Sequence, residues 1–527
     1  MTVIREKPSA LSASGKTSLL IGLGIASKMI VDLVVASRFG LGTRTDAFFV
    51  AYTLPLIIEA LIYPACQSGL VPIFVRQMRP DHSHDKWTIF SALFNVGLLT
   101  SIALSGAGVA TAPWMTALLA PGLPASSYET TVHLMRILFV GTLIVGPVGV
   151  MRAFLNAHGL FTAPAMLELI RGTAVLCTIM VAYGAYGIEA VAWGYVIGGL
   201  LQFLTLAGVI VRRLGLGYRL AIKLKSLRSS QAGRLFMVPL ADYMLGQTIL
   251  IAERMIGSFM PAGSISAISY GHRLAAVITS VLFSGVEVVS LSSLAVDFSE
   301  GTPTHLRRAR ETFITGLRLV LVLGIPVSIS VWALSLPLVK LLFERGAFDR
   351  QATLLAAPVM GLYALSIPFY GYWLLLRNYL FATIQLKKIL ALACTSAGVY
   401  IALALLLSRY MGARGVALAY VGGASVVYGL GFFVLGTEWR PFQRAMIYLA
   451  ARVAGASLAA GFALVSVSDQ VSQLLSKVQY LSSSVVLIAS LTVAGVLGAI
   501  LLLGLLVVLR VEEAASLAKH LRQVRGR

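Results

Sequence analysis

Charge is what this chain lacks. Of its 527 residues only 12% are charged, where an ordinary soluble domain carries about 25%, and 58% are hydrophobic. That balance excludes a soluble enzyme with a large hydrated surface. Acidic side chains are the scarcer kind: 21 Asp and Glu stand against 42 Lys and Arg, a formal net charge of +21. Cysteine is nearly missing as well. Cys66, Cys177 and Cys394 lie within or beside apolar segments and read as small hydrophobes rather than a disulfide framework or a metal site. CxxC, HExxH, Walker A and GxSxG patterns are absent, and the seven histidines are scattered. No enzyme, cofactor or metal is expected from such a chain.

What the sequence has instead is apolar runs of about 20 residues, each long enough to cross a roughly 30 Å hydrocarbon layer as a helix. They are too long and too continuous for barrel strands. Spans are expected near 17–37, 47–75, 89–113, 130–156, 160–183, 189–211, 236–257, 266–295, 312–334, 353–383, 388–408, 415–435, 446–466 and 481–509. The polar, basic residues 1–16 read as a retained cytoplasmic tail. Basic residues concentrate in alternate loops, most of all between Arg212 and Arg234, where no acidic residue intervenes. The positive-inside rule explains them without nucleic acid. Fourteen spans with both ends inside fit the alternation, and the tail 510–527 is basic again.

The fold expected is therefore an all-α polytopic membrane protein built by duplication. YGIEAVAWGYVIGG (186–199) resembles MGARGVALAYVGG (411–423), and AFLNAHGLFTAP resembles YWLLLRNYLFATIQLKK. SRFGLGTRTDAFFVAYTLP (37–55) returns as SFMPAGSISAISYGHR (258–273). Six spans per repeat give both halves the same orientation, as in alternating-access transporters. The expected division is an N-lobe at 17–212, a basic linker at 213–233, a C-lobe at 234–435 and a last helix pair at 446–509.

Ionisable groups inside spans are costly in lipid and mark a cavity, a partner or an interface. Lys28 and Asp32 share one face of span one, either as a mutual pair or as cavity lining. Glu59 is an acid with no cation nearby in sequence, Arg136 and Arg152 ride on span four, and Glu168 and Arg171 are spaced to pair. Asp242, Glu253, Arg254, His272, Arg273, Glu287, Arg318 and Arg377 complete the set. Converging on one wet chamber between the halves, the basic members suit a phosphate-bearing substrate. The acids Asp32, Asp242 and Glu287 are candidates for ion coupling. Pro55, Pro64 and Pro72 in span two, Pro147 in span four, and Pro358 and Pro368 in span ten mark helices that bend; spans two and ten are candidate gates or static kinks.

Several of these stretches resemble the MviN/MurJ family of lipid II flippases, within the multidrug, oligosaccharide-lipid and polysaccharide exporter superfamily. FGLGTRTDAFFVAYTLP resembles the family's FGxGxxTDAFxxAxxxPN, AFLNAHGLFTAPA its LNxxxxFxxPA, and ISYGHRL its YYAxRL. The resemblance covers roughly residues 17 to 510. It implies fourteen spans in two lobes, a lipid-tail groove at spans thirteen and fourteen, and flipping of a polyprenyl-pyrophosphate-linked saccharide across the bacterial inner membrane. By motif position Asp46 matches the family's acid and Arg273 its cavity arginine. Lys28, Glu59, Arg152 and Arg377 join them as candidate substrate contacts. The sequence departs where the family places two span-one arginines, at Ile25 and Val31, and at Leu56 and Glu59, where the family has asparagine and arginine. Those departures open a related exopolysaccharide or O-antigen-type lipid as cargo. A cation-coupled small-molecule exporter and a transport-inactive scaffold are the other readings. Expected partners are the lipid-linked glycan, membrane lipid and a cell-envelope synthesis complex, with coupling to the membrane potential or a monovalent cation.

Overall fold

A backbone amide in hydrocarbon has no water to bond, so a long apolar run closes its hydrogen bonds on itself as a helix. The computed structural model describes residues 10–77, 86–215, 217–219, 230–300, 302–436, 439–477 and 483–509. Side chains are described for these except at 10–14, 86, 230–242, 440–441 and 483. The expected tails, 1–16 up to residue 9 and 510–527, and most of the basic linker lie outside the described residues.

The described residues are helical almost throughout. Contacts group them into two compact units, Met1–Gly263 and Ser264–Arg527. The first unit holds α1 (Ala10–Phe39), α2 (Thr43–Gln77), α3 (Lys86–Leu119), α4 (Ala125–Gly141), α5 (Val145–Ala157), α6 (Thr162–Ala165), α7 (Leu167–Tyr186), α8 (Glu189–Leu214) and α9 (Ser230–Gly257). The second holds α10 (Ser264–Glu300), α11 (Pro303–Ala333), α12 (Ser335–Phe343), α13 (Arg350–Ala364), α14 (Ile367–Ala382), α15 (Leu386–Met411), α16 (Ala413–Leu435), α17 (Arg440–Ser476) and α18 (Ser483–Val508).

Among the described residues thirteen helical segments are long and apolar enough to cross a membrane. They coincide with every expected span but the seventh, which corresponds to α9. That helix is formed, but the side chains of its first half lie outside the described residues.

Proline acts unevenly. Span four is split: α4 ends at Gly141, a 3-10 turn covers Thr142–Ile144, and α5 restarts just before Pro147. Span ten is split as well, between α13 and α14, just before Pro368. In each case the proline ring excludes the helical carbonyl four residues earlier. A hydroxyl satisfies a neighbouring carbonyl at each break: Thr142 Oγ1 donates to Phe139 O and Ser366 Oγ to Tyr363 O, both at 2.7 Å. In span two α2 runs unbroken through Pro55, Pro64 and Pro72.

The units repeat the same punctuation. The α7–α8 pair turns at Gly187 (φ 54°) and α15–α16 at Gly412 (φ 56°), the two positions matched in the sequence repeat. At the ends of α5 and α14 the chain closes with the same pair of hydrogen bonds, Leu160 N to Leu155 O with Gly159 N to Asn156 O, and Gln385 N to Leu380 O with Ile384 N to Phe381 O. This is a Schellman closure. Each unit has an aromatic centre, Phe74, Phe90 and Phe154 in the first, Phe283, Phe313 and Trp439 in the second. Helices α17 and α18 pack on each other and on α11 and α12 through Val453, Leu464, Ala494 and Leu506.

Candidate functional site

Small residues bring the charges of the first unit together. Gly24 on α1 lies against Glu168 of α7, and Gly172 of α7 lies against Ser27. The Ser27 hydroxyl reaches the Glu168 carbonyl at 3.2 Å. Close backbone approach of this kind is the usual use of small residues between membrane helices. It sets Lys28, the next residue of α1, onto Glu168 with Nζ 3.0 Å from the carboxylate. On the other side Gly198 of α8 leaves room for the Arg171 stem.

Arg171 is the centre of the arrangement and is 9% exposed. One terminal nitrogen, Nη1, donates to both carboxylate oxygens of Glu59 on α2. The other, Nη2, donates to both oxygens of Glu168, at 2.9 and 3.1 Å. Depth explains the match. Glu59 lies about 24 Å along α2 from its start at the α1–α2 turn, and Arg171 about 22 Å along α7 from its end at Gly187. Arg152 of α5 stacks its guanidinium 4.7 Å from the centre of the Tyr63 ring, beside Glu59. Glu59 and Arg171 line a cleft with Tyr52, Tyr63, Thr142 and Tyr195. The 3-10 break of span four forms part of its wall, which is where irregular backbone is tolerated at membrane depth.

Asp46 does other work. Its carboxylate is 4% exposed and accepts the Gly263 N–H at 2.6 Å. Ser258 Oγ accepts the Gly122 N–H at 3.1 Å, and Arg254 Nε donates to Thr53 Oγ1 at 3.2 Å. The end of α9 is therefore fastened to the α1–α2 and α3–α4 turns.

In the second unit Arg377 of α14 meets Glu287 of α10 at 3.0 Å. The neighbouring Asn378 amide donates to Glu287 O and Ser290 Oγ. Arg273 is half-buried near the start of α10, about 21 Å along that helix from Glu287. Beside it His272 stacks on Tyr363 with ring centres 5.2 Å apart. An apolar groove of about 580 Å³ runs between α11, α13 and α17, lined by Ile329, Trp332, Pro358, Leu362, Leu458 and Phe462.

Of the residues singled out in the sequence, the structure brings together Lys28, Glu59 and Arg152 in the first unit, and Arg377 with Glu287 in the second. Asp32 is half-buried one turn beyond Lys28. The Asp242 side chain lies outside the described residues. Arg171 and Glu168 were legible as a pair, yet their role as the hub was not, because Glu59 is 112 residues away in the chain. The one available signal was the small-residue setting, Gly24, Ser27, Gly172 and Gly198, around them. Among the described residues no group of three or more His, Cys, Asp or Glu gathers as a metal site.

Comparison with known proteins agrees with this architecture. A solved MurJ lipid II flippase in an inward closed conformation superposes with a TM-score of 0.74, covering 93% of this chain and 98% of that one at 21% identity. A multidrug MATE transporter in an inward-facing conformation superposes less closely, with a TM-score of 0.63, covering 81% of this chain and 95% of its own at 14% identity. At such identities the likeness concerns the fold. In sequence, a probable lipid II flippase MurJ of Rhizobium tropici is 26% identical over 406 residues, 74% of each chain. The lipid II flippase MurJ of Burkholderia cenocepacia is 27% identical over 371 residues, 68% of this chain and 69% of that one. The counterpart in Bdellovibrio bacteriovorus, a probable lipid II flippase, is 26% identical over 430 residues, 80% of each. The family described as lipid II flippase MurJ matches residues 35–488, and with that span, carrying both hairpin signatures and the charged cleft, the chain belongs to the MurJ family.

Proposed function

We propose that the protein flips an undecaprenyl-pyrophosphate-linked saccharide, lipid II or a related polysaccharide precursor, from the inner to the outer leaflet by alternating access. The observation that carries this reading is the cleft of the first unit, where Lys28, Glu59, Glu168 and Arg171 form an ion-paired network at membrane depth beside open space. Hydrocarbon tolerates such groups where they meet water or a polar cargo. A large headgroup crossing about 30 Å of lipid needs that environment. The tail needs the opposite, and the apolar groove beside α17 supplies it. No covalent bond changes.

In this reading the matched turns at Gly187 and Gly412, and the matched closures after α5 and α14, reflect two like-oriented six-span repeats followed by a lipid-tail pair. The linker at 213–233 and both ends of the chain are cytoplasmic. Arg273, Lys28, Arg152 and Arg377 attract the pyrophosphate, while Asp46 and Glu59 hold the cationic groups and turns in place. Asp32, Asp242 and Glu287 serve ion coupling. A membrane potential, worth about 2.3 kcal/mol per elementary charge per 100 mV, drives the return of a cationic empty cavity. A cargo other than lipid II, of the exopolysaccharide or O-antigen kind, is favoured by one observation: Glu59 stands where the family resemblance places an arginine, and Arg171 on a different helix answers it. The partners are then the lipid-linked glycan and a cell-envelope synthesis complex.

The test is headgroup accessibility in proteoliposomes loaded with lipid II or with another undecaprenyl-pyrophosphate saccharide. The wild-type chain is expected to expose one of them, and Arg273→Ala to abolish exposure while remaining folded. Failure to translocate any polyprenyl-pyrophosphate lipid would sink the reading.

A further inference from the structure

We propose that Arg171 is the phosphate ligand of the first unit's cleft, and that Glu59 and Glu168 occupy its guanidinium fork until a multiply charged anion displaces Glu59. The inference rests on the flippase reading above and concerns the regulation of that same site.

A guanidinium presents two parallel donor pairs shaped for the oxygens of a carboxylate or a phosphate. In Arg171 each terminal nitrogen is taken by a carboxylate of the chain itself, Nη1 by both oxygens of Glu59 from α2 and Nη2 by both oxygens of Glu168 from its own helix. A carboxylate and a phosphate oxygen pair are interchangeable to such a fork, so the two glutamates sit where substrate anions would. The two are not equally held. Glu168 is anchored a second time by Lys28 and its helix is locked against α1 through Gly24 and Ser27. Glu59 lines the open cleft together with Arg171. It also has somewhere to go: Tyr63 lines the same cleft, and Arg152 is stacked on that ring. When an anion takes Nη1, Glu59 passes from Arg171 to the Tyr63–Arg152 side, and no carboxylate is left bare.

The arrangement has two effects. An empty cleft never holds an uncompensated buried cation, which would be costly at this depth. It also sets a threshold. A phosphodiester of a bulk phospholipid brings one negative charge, the same as the carboxylate it must evict, and gains little by the exchange. A pyrophosphate brings more charge and engages Arg171 and Lys28 together. Glu59 therefore acts as a built-in competitor that selects pyrophosphate-bearing lipids from a large excess of phospholipid.

The test is binding of inorganic pyrophosphate, farnesyl pyrophosphate and phosphatidylglycerol to the purified full chain, with headgroup flipping measured on the same variants. Glu59→Gln keeps the shape and hydrogen-bonding capacity while removing the charge. It is expected to tighten pyrophosphate binding at least tenfold and to admit phosphatidylglycerol, which the wild type rejects. Arg171→Lys, which keeps the charge and loses the fork, is expected to weaken pyrophosphate at least tenfold. Because Arg171→Ala alone takes from Glu59 its ion-pair partner while Glu168 keeps Lys28, the double variant Glu59→Gln/Arg171→Ala is the folding-safe control, and it should lose the gain of Glu59→Gln. Wild-type affinity in Glu59→Gln, or undiminished affinity in the double variant, overturns the proposal. If those variants behave like the wild type while flipping persists, the competitor falls and the flippase reading stands. If binding responds as expected and no lipid-linked saccharide is flipped, the flippase reading falls and the anion exchange stands.

Discussion

At Ile384 a β-branched side chain sits in left-handed backbone, φ 56°, the one non-glycine residue so placed among those described. Its counterpart at the end of α5 is Gly159, φ 73°, closing the same hydrogen-bond pattern without a Cβ to crowd the carbonyl. The left-handed conformation costs an L-residue about 1–2 kcal/mol. Ile384 is 79% exposed, so little packing offsets that cost. Ile384→Gly is therefore expected to stabilise the chain by about 1 kcal/mol after the added backbone entropy of glycine is subtracted. A detergent unfolding curve that moves to lower temperature would show that the isoleucine is held by contacts worth more than its strain. At this same scale spacing within one helix placed Glu168 beside Arg171, and that pair forms. It could not show that Lys28 ion-pairs with Glu168 across α1 and α7. Helical periodicity reports which residues share a face, and it carries no information about the helix opposite.

Among the elements, the long helices were legible because a run of about 20 apolar residues has only one stable form in lipid. The breaks were legible in part. Pro147 and Pro368 each stand in the first turn of the segment that follows a break, while Pro55, Pro64 and Pro72 do not interrupt α2. At each of the two breaks a hydroxyl, Thr142 or Ser366, bonds a carbonyl three residues back. Of the two gate candidates, span ten is interrupted and span two is continuous, which makes span ten the expected hinge. Pro368→Ala is thus expected to reduce flipping at least fivefold in folded protein, by restoring the interrupted hydrogen bond. Pro64→Ala in the continuous α2 is expected to change flipping less than twofold. Equal effects of the two substitutions, read in the same proteoliposome assay, would remove the hinge from span ten.

For the molecule as a whole, the count of crossings decides which loops share a side, and α9 is the crossing in question. The six spans before it, α1, α2, α3, α4 with α5, α6 with α7, and α8, return the chain to the side from which α1 enters. The α1–α2 and α3–α4 turns then lie together on the opposite side. The end of α9 is bonded to both of them, Gly263 N to Asp46 and Gly122 N to Ser258. A helix that starts on one side and is fastened to turns on the other must cross; with α9 as a crossing beside the thirteen segments long and apolar enough to span, the expected total is fourteen, which would return α18 to the side from which α1 sets out. The arginine and lysine content of alternate loops pointed to the same parity before any contact was known. Labelling with a membrane-impermeant maleimide checks it, in a background where Cys66, Cys177 and Cys394 are replaced by alanine. Phe259 is 71% exposed and Arg219 is exposed on the segment after α8. Phe259→Cys and Gly42→Cys are expected to react from the periplasmic face of intact cells, and Arg219→Cys only after the membrane is opened. If Phe259→Cys and Arg219→Cys were labelled from the same face, α9 would not cross, and the even count, with the two like-oriented repeats built on it, would fail.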